Sequence, residues 1–264
     1  DVIEETEKLA RMGVREVIIT AQDTTSYGSD LKKGVTLTVL LKRLAAVDGI
    51  RWIRLLYTYP MHITDELLEL IAGEGKICNY MDIPVQHIDD RILRAMKRKG
   101  DAVLIRKTLE RVRTIVPGIA VRTSLIVGFP GETPREFNDL LNFVKETRLD
   151  HVGVFTYSRE EGTEAALLPR QVSEKVKESR RYAAMEEQSL ISYEINQSLI
   201  GTEEEIIIEG ISDIPEYDYV GRVRRQAPDI DGVTYLKSKD KVPGDIVRCK
   251  ITACEEYDLY AEEL

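Results

Sequence analysis

Between residues 2 and 157 the chain alternates two hydrophobic periods. Residues 2–12, 36–47, 64–72, 89–98, 103–116 and 134–147 place apolar side chains every three or four positions, with Leu37, Leu40, Leu41 and Leu44 sharing one helical face. Residues 16–20, 51–57, 80–84, 120–128 and 151–157 are short apolar runs that read as buried strands. Thr64 stands at an N-cap position with Asp65 and Glu66 complementing the helix dipole, and Pro134 opens another helix. Five strands alternating with helices predict an α/β fold with a parallel sheet and right-handed crossovers. Because the pattern opens on a helix, it fits either a five-strand open fold or a partial parallel β/α barrel entered after its first strand. The partial barrel is the reading adopted, over residues 1–200.

A long helix closes that region, running from Ser173 as N-cap to Gly201, with an apolar face expected through Val176, Ala183 and Leu190 and beside them Tyr182, Met185 and Tyr193. From Gly201 onward the pattern changes to EEIIIEG, YDYVGRVRR, VTYLKS, DIVRCKITAC and DLYAEE, separated by turn signals such as PDIDG and VPGD. Five short strands predict a small antiparallel barrel of the oligonucleotide-fold type over residues 201–264.

Composition narrows the class. A chain of 264 residues that is 43% hydrophobic has enough apolar surface for one large core and a smaller second one, which excludes general disorder. No apolar run approaches the roughly 20 residues needed to span a bilayer, and the opening DVIEETEKLARMG is acidic and amphipathic, unlike a signal peptide; a cytoplasmic protein without membrane contact is expected. Cys78, Cys249 and Cys254 are scattered and form no CxxC or CxxxCxxC, so neither a disulfide framework nor a metal site is predicted. Charge is uneven. Residues 199–264 hold 16 acids against 8 bases, leaving 30 acids and 29 bases for all that precedes. An acidic tail of net charge -8 repels phosphate backbones and attracts basic proteins.

In parallel sheets, ligands collect at the carboxyl ends of strands. Those ends carry Gln22 and Asp23; Tyr57, Thr58 and Pro60; Gln86 and His87; Gly128 to Glu132; and Tyr157 with Ser158. Gly128 and Gly131 allow backbone to approach a ligand, with amides of the following helix offered to a carboxylate, phosphate or ribose hydroxyl; Glu132 either accepts from an amine or sugar or serves only the helix dipole of a tight turn. Arg122 and Ser124 share one side of their strand. A charged Arg122 inside a barrel needs a partner, either a ligand carboxylate or a salt bridge at the rim. His87 reads as a structural imidazole before a general base, and His62 and His151 as structural. The run RAMKRKGD is either a solvated helix end or a substrate-facing lip.

DIPVQHIDDRILRAMKRKG, RTSLIVGFPGET and FTYSREEGTEAA, in that order, resemble the radical S-adenosylmethionine methylthiotransferases, and the tail resembles their TRAM domain. The resemblance implies an S-adenosylmethionine site in which the turn of Gly128, Gly131 and Glu132 passes the adenosine, Gln22 and Asp23 lie near the methionine part, Gln86, Arg122 and Ser124 line the barrel, and Phe155 and Tyr157 pack near the nucleoside. It also implies two four-iron four-sulfur clusters, one reducing S-adenosylmethionine to a 5'-deoxyadenosyl radical, the other holding the sulfur that is methylated and inserted. The cysteines that hold both clusters in the family are absent from this chain, so the polypeptide as given is not expected to perform the reaction by itself. No side-chain acid or base is assigned. PVQHIDD and YSREEGT resemble the branch that modifies an aspartate of small-subunit ribosomal protein S-twelve rather than the branch acting on transfer RNA, and an acidic TRAM domain suits the basic protein as partner and disfavours tRNA. The reductant protein is not indicated. The alternatives are a tRNA methylthiotransferase, a non-catalytic barrel-and-TRAM binding module, and a barrel lyase using Arg122 and His87.

Overall fold

The computed structural model of the chain describes residues 1–31 and 34–264. Its first sheet holds β1 (Glu16–Ile19), β2 (Trp52–Leu55), β3 (Ile77–Asp82), β4 (Ala120–Val127) and β5 (His151–Thr156), all parallel and in chain order. The connections carry α1 (Val2–Arg11) ahead of β1, then α2 (Leu37–Ala45), α3 (Asp65–Gly73), α4 (Asp90–Ala95), α5 (Ala102–Ile115) and α6 (Pro134–Thr147). After β5 come the short α7 (Glu164–Leu167) and the long α8 (Glu174–Leu199). The parallel order is as the alternation predicts. Strand bounds differ from the sequence expectation by up to three residues: the expected runs continue one or two residues past the carboxyl ends, and β3 begins three residues early, at Ile77.

Strand pleating divides the sheet chemically. Val17, Ile53, Leu55, Met81, Val121 and Leu125 point to one face and pack with the buried leucines of α2 and α3. Trp52, Cys78, Tyr80 and Ala120 point to the other, where they meet Ile207 and Ala227 of the C-terminal barrel. That barrel is closed, in the order β10 (Leu259–Glu263), β8 (Thr234–Lys237), β7 (Tyr219–Val223), β6 (Glu203–Ile211), β9 (Ile246–Cys254). The expectation of an all-antiparallel barrel is corrected at one seam: β10 pairs with β8 in parallel, which closes the sheet.

The two halves are joined by buried charges. Glu16 accepts from Arg54 Nε at 2.8 Å and from Arg222 Nη2 at 2.5 Å, and Arg222 also donates to Glu209 at 2.8 Å. Burial alone would raise the Glu16 carboxyl, but Arg54 and Arg222 outweigh it and hold it below its usual range. Asp150 at the start of β5 receives Arg225 at 2.5 Å.

α8 corrects a second expectation. Its predicted apolar stripe is largely solvent-facing, with Val176 40% and Leu190 58% exposed, whereas Lys177, Arg180, Gln188 and Ser192 are buried with Ala184 and Ile191. The reason is backbone satisfaction: Lys177 Nζ donates to the Tyr157 carbonyl at 2.7 Å, Gln188 Nε2 to the Leu149 carbonyl at 2.9 Å and Ser192 to the Asp150 carbonyl at 2.9 Å. A helix crossing strand termini meets carbonyls that need donors, so polar residues face inward there. Ser173 holds the N-cap position without a capping side-chain bond. Among the described residues, no helix is long and apolar enough to cross a membrane.

Candidate functional site

The carboxyl ends of β3, β4 and β5 open on a cavity of about 570 Å³. Met96, Ile126, Phe129 and Leu168 supply apolar walls, while Gln86, Lys97, Arg98, Glu164 and Tyr157 supply polar ones. Phe129 meets the Tyr157 ring edge-on, with centroids 5.2 Å apart. Lys97, just after α4, and Glu164, at the start of α7, form a 2.6 Å ion pair between the two sides. Arg98 donates to the Pro84 carbonyl and lies over the Tyr59 ring at 4.7 Å; burial lowers its pKa. The Tyr157 hydroxyl is buried without a hydrogen-bond partner. An apolar slot flanked by an amide and a guanidinium fits a flat heterocycle bearing polar edges.

Gln86 and Tyr157 both line this cavity, and Ala95 to Arg98 of RAMKRKGD form one of its walls. Gln86 adopts φ 69° and Tyr57 φ 55° at neighbouring strand ends, a left-handed backbone that favours glycine. The Tyr57 amide is held by Asp82 at 3.0 Å, while the second Asp82 oxygen is buried unpartnered; burial raises this carboxyl.

The glycine turn works otherwise than its letters suggest. Glu132 folds back beneath it, accepting the amides of Gly128 and of Phe129, the latter at 3.1 Å, and pairing with Arg180 at 3.1 Å. Burial raises the Glu132 carboxyl and Arg180 opposes the rise. The Gly131 amide donates to the Arg170 carbonyl at 2.8 Å, and Thr133 with Glu136 forms a capping box on α6. No free amide of this turn faces a ligand. Gly128, at φ 73°, is required because a Cβ there would stand 2.3 Å from Lys177 Cγ: the close approach is to a buried lysine stem. What the turn delivers to the cavity is Phe129, the residue between the glycines that the motif's spacing did not single out.

Arg122 Nη1 donates to Asp231 at 2.7 Å and to the Ile230 carbonyl at 3.0 Å, so its salt-bridge partner lies in the C-terminal barrel rather than at the rim. Ser124 lies on that same side of β4, half-buried, outside the cavity lining. Phe155 is 55% exposed and Gln22 is exposed, and neither lines the cavity. Asp23 binds His62 Nδ1 at 2.7 Å and Thr25 at 2.5 Å. His151 Nε2 contacts the Arg225 carbonyl at 2.9 Å. His87 is fully buried and accepts the Asp89 amide at 2.9 Å; burial lowers its pKa to about 4, which keeps it neutral and structural. With His87 so engaged and Arg122 covered by Asp231, the lyase alternative has no site.

Residues 1–144 match the family described as the radical SAM superfamily, more than half the chain, and residues 200–263 match the TRAM domain. The chain is similar to proteins named ribosomal protein uS12 methylthiotransferase RimO: 57% identical over 264 residues to that of Syntrophus aciditrophicus (strain SB), covering 99% of this chain and 58% of the relative. Identity is 50% over 260 residues in Trichlorobacter lovleyi and 51% over 260 in Pelobacter propionicus, each covering 98% of this chain and 58% of the relative. The chain therefore spans less than two thirds of the length of these relatives.

Proposed function

The chain belongs to the radical S-adenosylmethionine superfamily, and from that membership we propose that it forms the cofactor-holding barrel and the TRAM domain of a methylthiotransferase acting on ribosomal protein uS12. The observation that carries the reading is the rim cavity, whose size and mixed lining suit the adenosine part of S-adenosylmethionine. Ile126, Phe129 and the Tyr157 ring would flank the purine. Gln86 would hydrogen-bond its edge or the ribose, and the Lys97–Glu164 pair would bridge the mouth. When bound, S-adenosylmethionine supplies the one-electron chemistry of the superfamily; these side chains bind, orient and exclude solvent, and none is assigned a proton transfer.

The residues present do not fit an iron-sulfur cluster. Cys78 is buried under the C-terminal barrel, Cys249 and Cys254 lie within it, and no group of three metal-ligand side chains occurs among the described residues. No cluster step is derived for this chain; in the proposal, both clusters are held by residues outside it.

The target in this reading is the β-carbon of an aspartate of uS12, and the reaction takes place in the cytoplasm, where ribosomes assemble. The TRAM domain, at net charge -8 over residues 199–264, would dock that basic protein and oppose a transfer RNA. The test has two arms. Equilibrium dialysis of labelled S-adenosylmethionine against this chain should show saturable binding that weakens in Gln86→Gly; no saturable binding overturns the cavity assignment. The whole protein, reconstituted anaerobically with iron and sulfide and then given uS12, S-adenosylmethionine and dithionite as the electron source, should yield 5'-deoxyadenosine and methylthiolated uS12. Methylthiolated tRNA in its place would overturn the choice of substrate.

A further inference from the structure

Alternation along β8 and β10 turns Leu236, Leu259 and Ala261 into the TRAM barrel core and Tyr235 and Tyr260 out of it. The two tyrosines are direct partners across the parallel seam, their rings 5.5 Å apart and inclined by 19°. Tyr217, in the loop before β7, joins them at 5.1 Å from Tyr260 and 6.1 Å from Tyr235. The outcome is a half-buried aromatic platform outside both hydrophobic cores.

Carboxylates surround it. Asp213 and Asp258 lie close enough to add to the effect of burial in raising the Tyr235 hydroxyl, and Glu255 and Asp258 act likewise on Tyr260. Partial burial, then Glu255 and Asp258, push the Tyr260 hydroxyl up to about 12, so the platform stays neutral at physiological pH. One cation is already seated on it: Lys237 Nζ lies 5.4 Å from the Tyr217 centroid, tethered by Glu262 at 3.1 Å.

A stack of aromatic faces alone would also suit unstacked nucleobases. Nearby carboxylates reverse that preference, because they repel the phosphates that accompany every base while strengthening the hold on a guanidinium or ammonium over the ring faces. We propose that Tyr217, Tyr235 and Tyr260, with Asp213 and Glu255, form the docking site for arginine and lysine side chains of a basic polypeptide. This rests on the reading of uS12 as substrate and locates where on the TRAM domain that protein is gripped.

The test titrates the full chain with purified uS12 and, separately, with tRNA. Asp213→Asn/Glu255→Gln and Tyr235→Thr/Tyr260→Thr are each expected to weaken uS12 binding by about tenfold. Tyr235→Phe/Tyr260→Phe, which keeps the rings, should remain within about twofold of the parent. Glu203→Gln/Asp240→Asn removes the same two charges from outside the patch and should lose less than about threefold. Thermal unfolding of each variant checks that the barrel still folds. If patch and outside variants weaken binding equally while the parent binds uS12, the platform assignment fails and the substrate reading stands. If the parent does not bind uS12, both fail. If the parent binds tRNA and the patch variants lose it, the platform is an RNA site and the proposal is overturned.

Discussion

Arg122 of the parallel sheet and Asp231 of the TRAM barrel meet at 2.7 Å, with the carboxylate fully buried. The same carboxylate accepts the Tyr80 hydroxyl at 2.8 Å and the Ala227 amide at 2.8 Å. Asp231→Ala would leave Arg122 charged and uncompensated, a loss of about 3–5 kcal/mol by the behaviour of broken buried pairs. Urea denaturation should show it. Arg122→Met/Asp231→Leu, which removes both charges, should recover most of that loss; a double variant as unstable as the single one would show that the pair is not the cause.

Gly128→Ala should destabilise by about 2–4 kcal/mol, combining overpacking against Lys177 with a left-handed backbone. Lys177→Ala in the same chain removes the collision and leaves only the backbone strain. The double-mutant cycle should therefore show coupling of about 1–3 kcal/mol. Strict additivity would mean that Gly128 is needed for its φ alone.

Glu136 sets a pH dependence. Burial alone would raise its carboxyl, but Arg91, at 2.6 Å to each oxygen, and Thr133 outweigh this and bring it down to about 2. A carboxyl depressed in the folded state contributes stability that is fully present above its unfolded value of 4.5 and is lost as pH falls from there to about 2. Arg91 is 44% exposed, so solvent screening limits the contribution to roughly 1–2 kcal/mol. Urea midpoints of the parent and Glu136→Gln should differ at pH 6, draw closer below about pH 4.5 and converge only near pH 2. A constant gap across that range would contradict the assignment.

The Tyr157 hydroxyl makes no protein hydrogen bond, so Tyr157→Phe should leave thermal stability unchanged or slightly raised. Gln86→Gly, which keeps the left-handed backbone and removes the amide from the cavity wall, should lower affinity for S-adenosylmethionine by about two- to tenfold, the worth of one hydrogen bond. Unchanged affinity in Gln86→Gly would remove Gln86 from the site.

The parallel sheet was legible because its signal is local. Helical and strand periods alternate through residue 157, and α6 occupies 134–147 as its proline and apolar spacing predict. The cavity was legible in part. Gln86 and Tyr157 sit at strand ends, where topology alone directs a search, whereas Phe129 hides between two glycines that attract the reader to backbone. Least legible were the long-range partners. Lys177, Arg180 and Gln188 look like solvent-facing helix letters, and only carbonyls and a carboxylate distant in sequence explain their burial. Arg122 likewise announced a need for negative charge without saying that residue 231 would supply it.

The Glu16, Arg54 and Arg222 network has a consequence for protein engineering. Grafting a TRAM domain from a relative onto this barrel would leave Glu16 and Arg54 facing a stranger, so a working chimera must carry its matching sheet-side residues with it. Interchangeability here is a property of the seam, and a graft that respects only the domain boundary should yield aggregated protein.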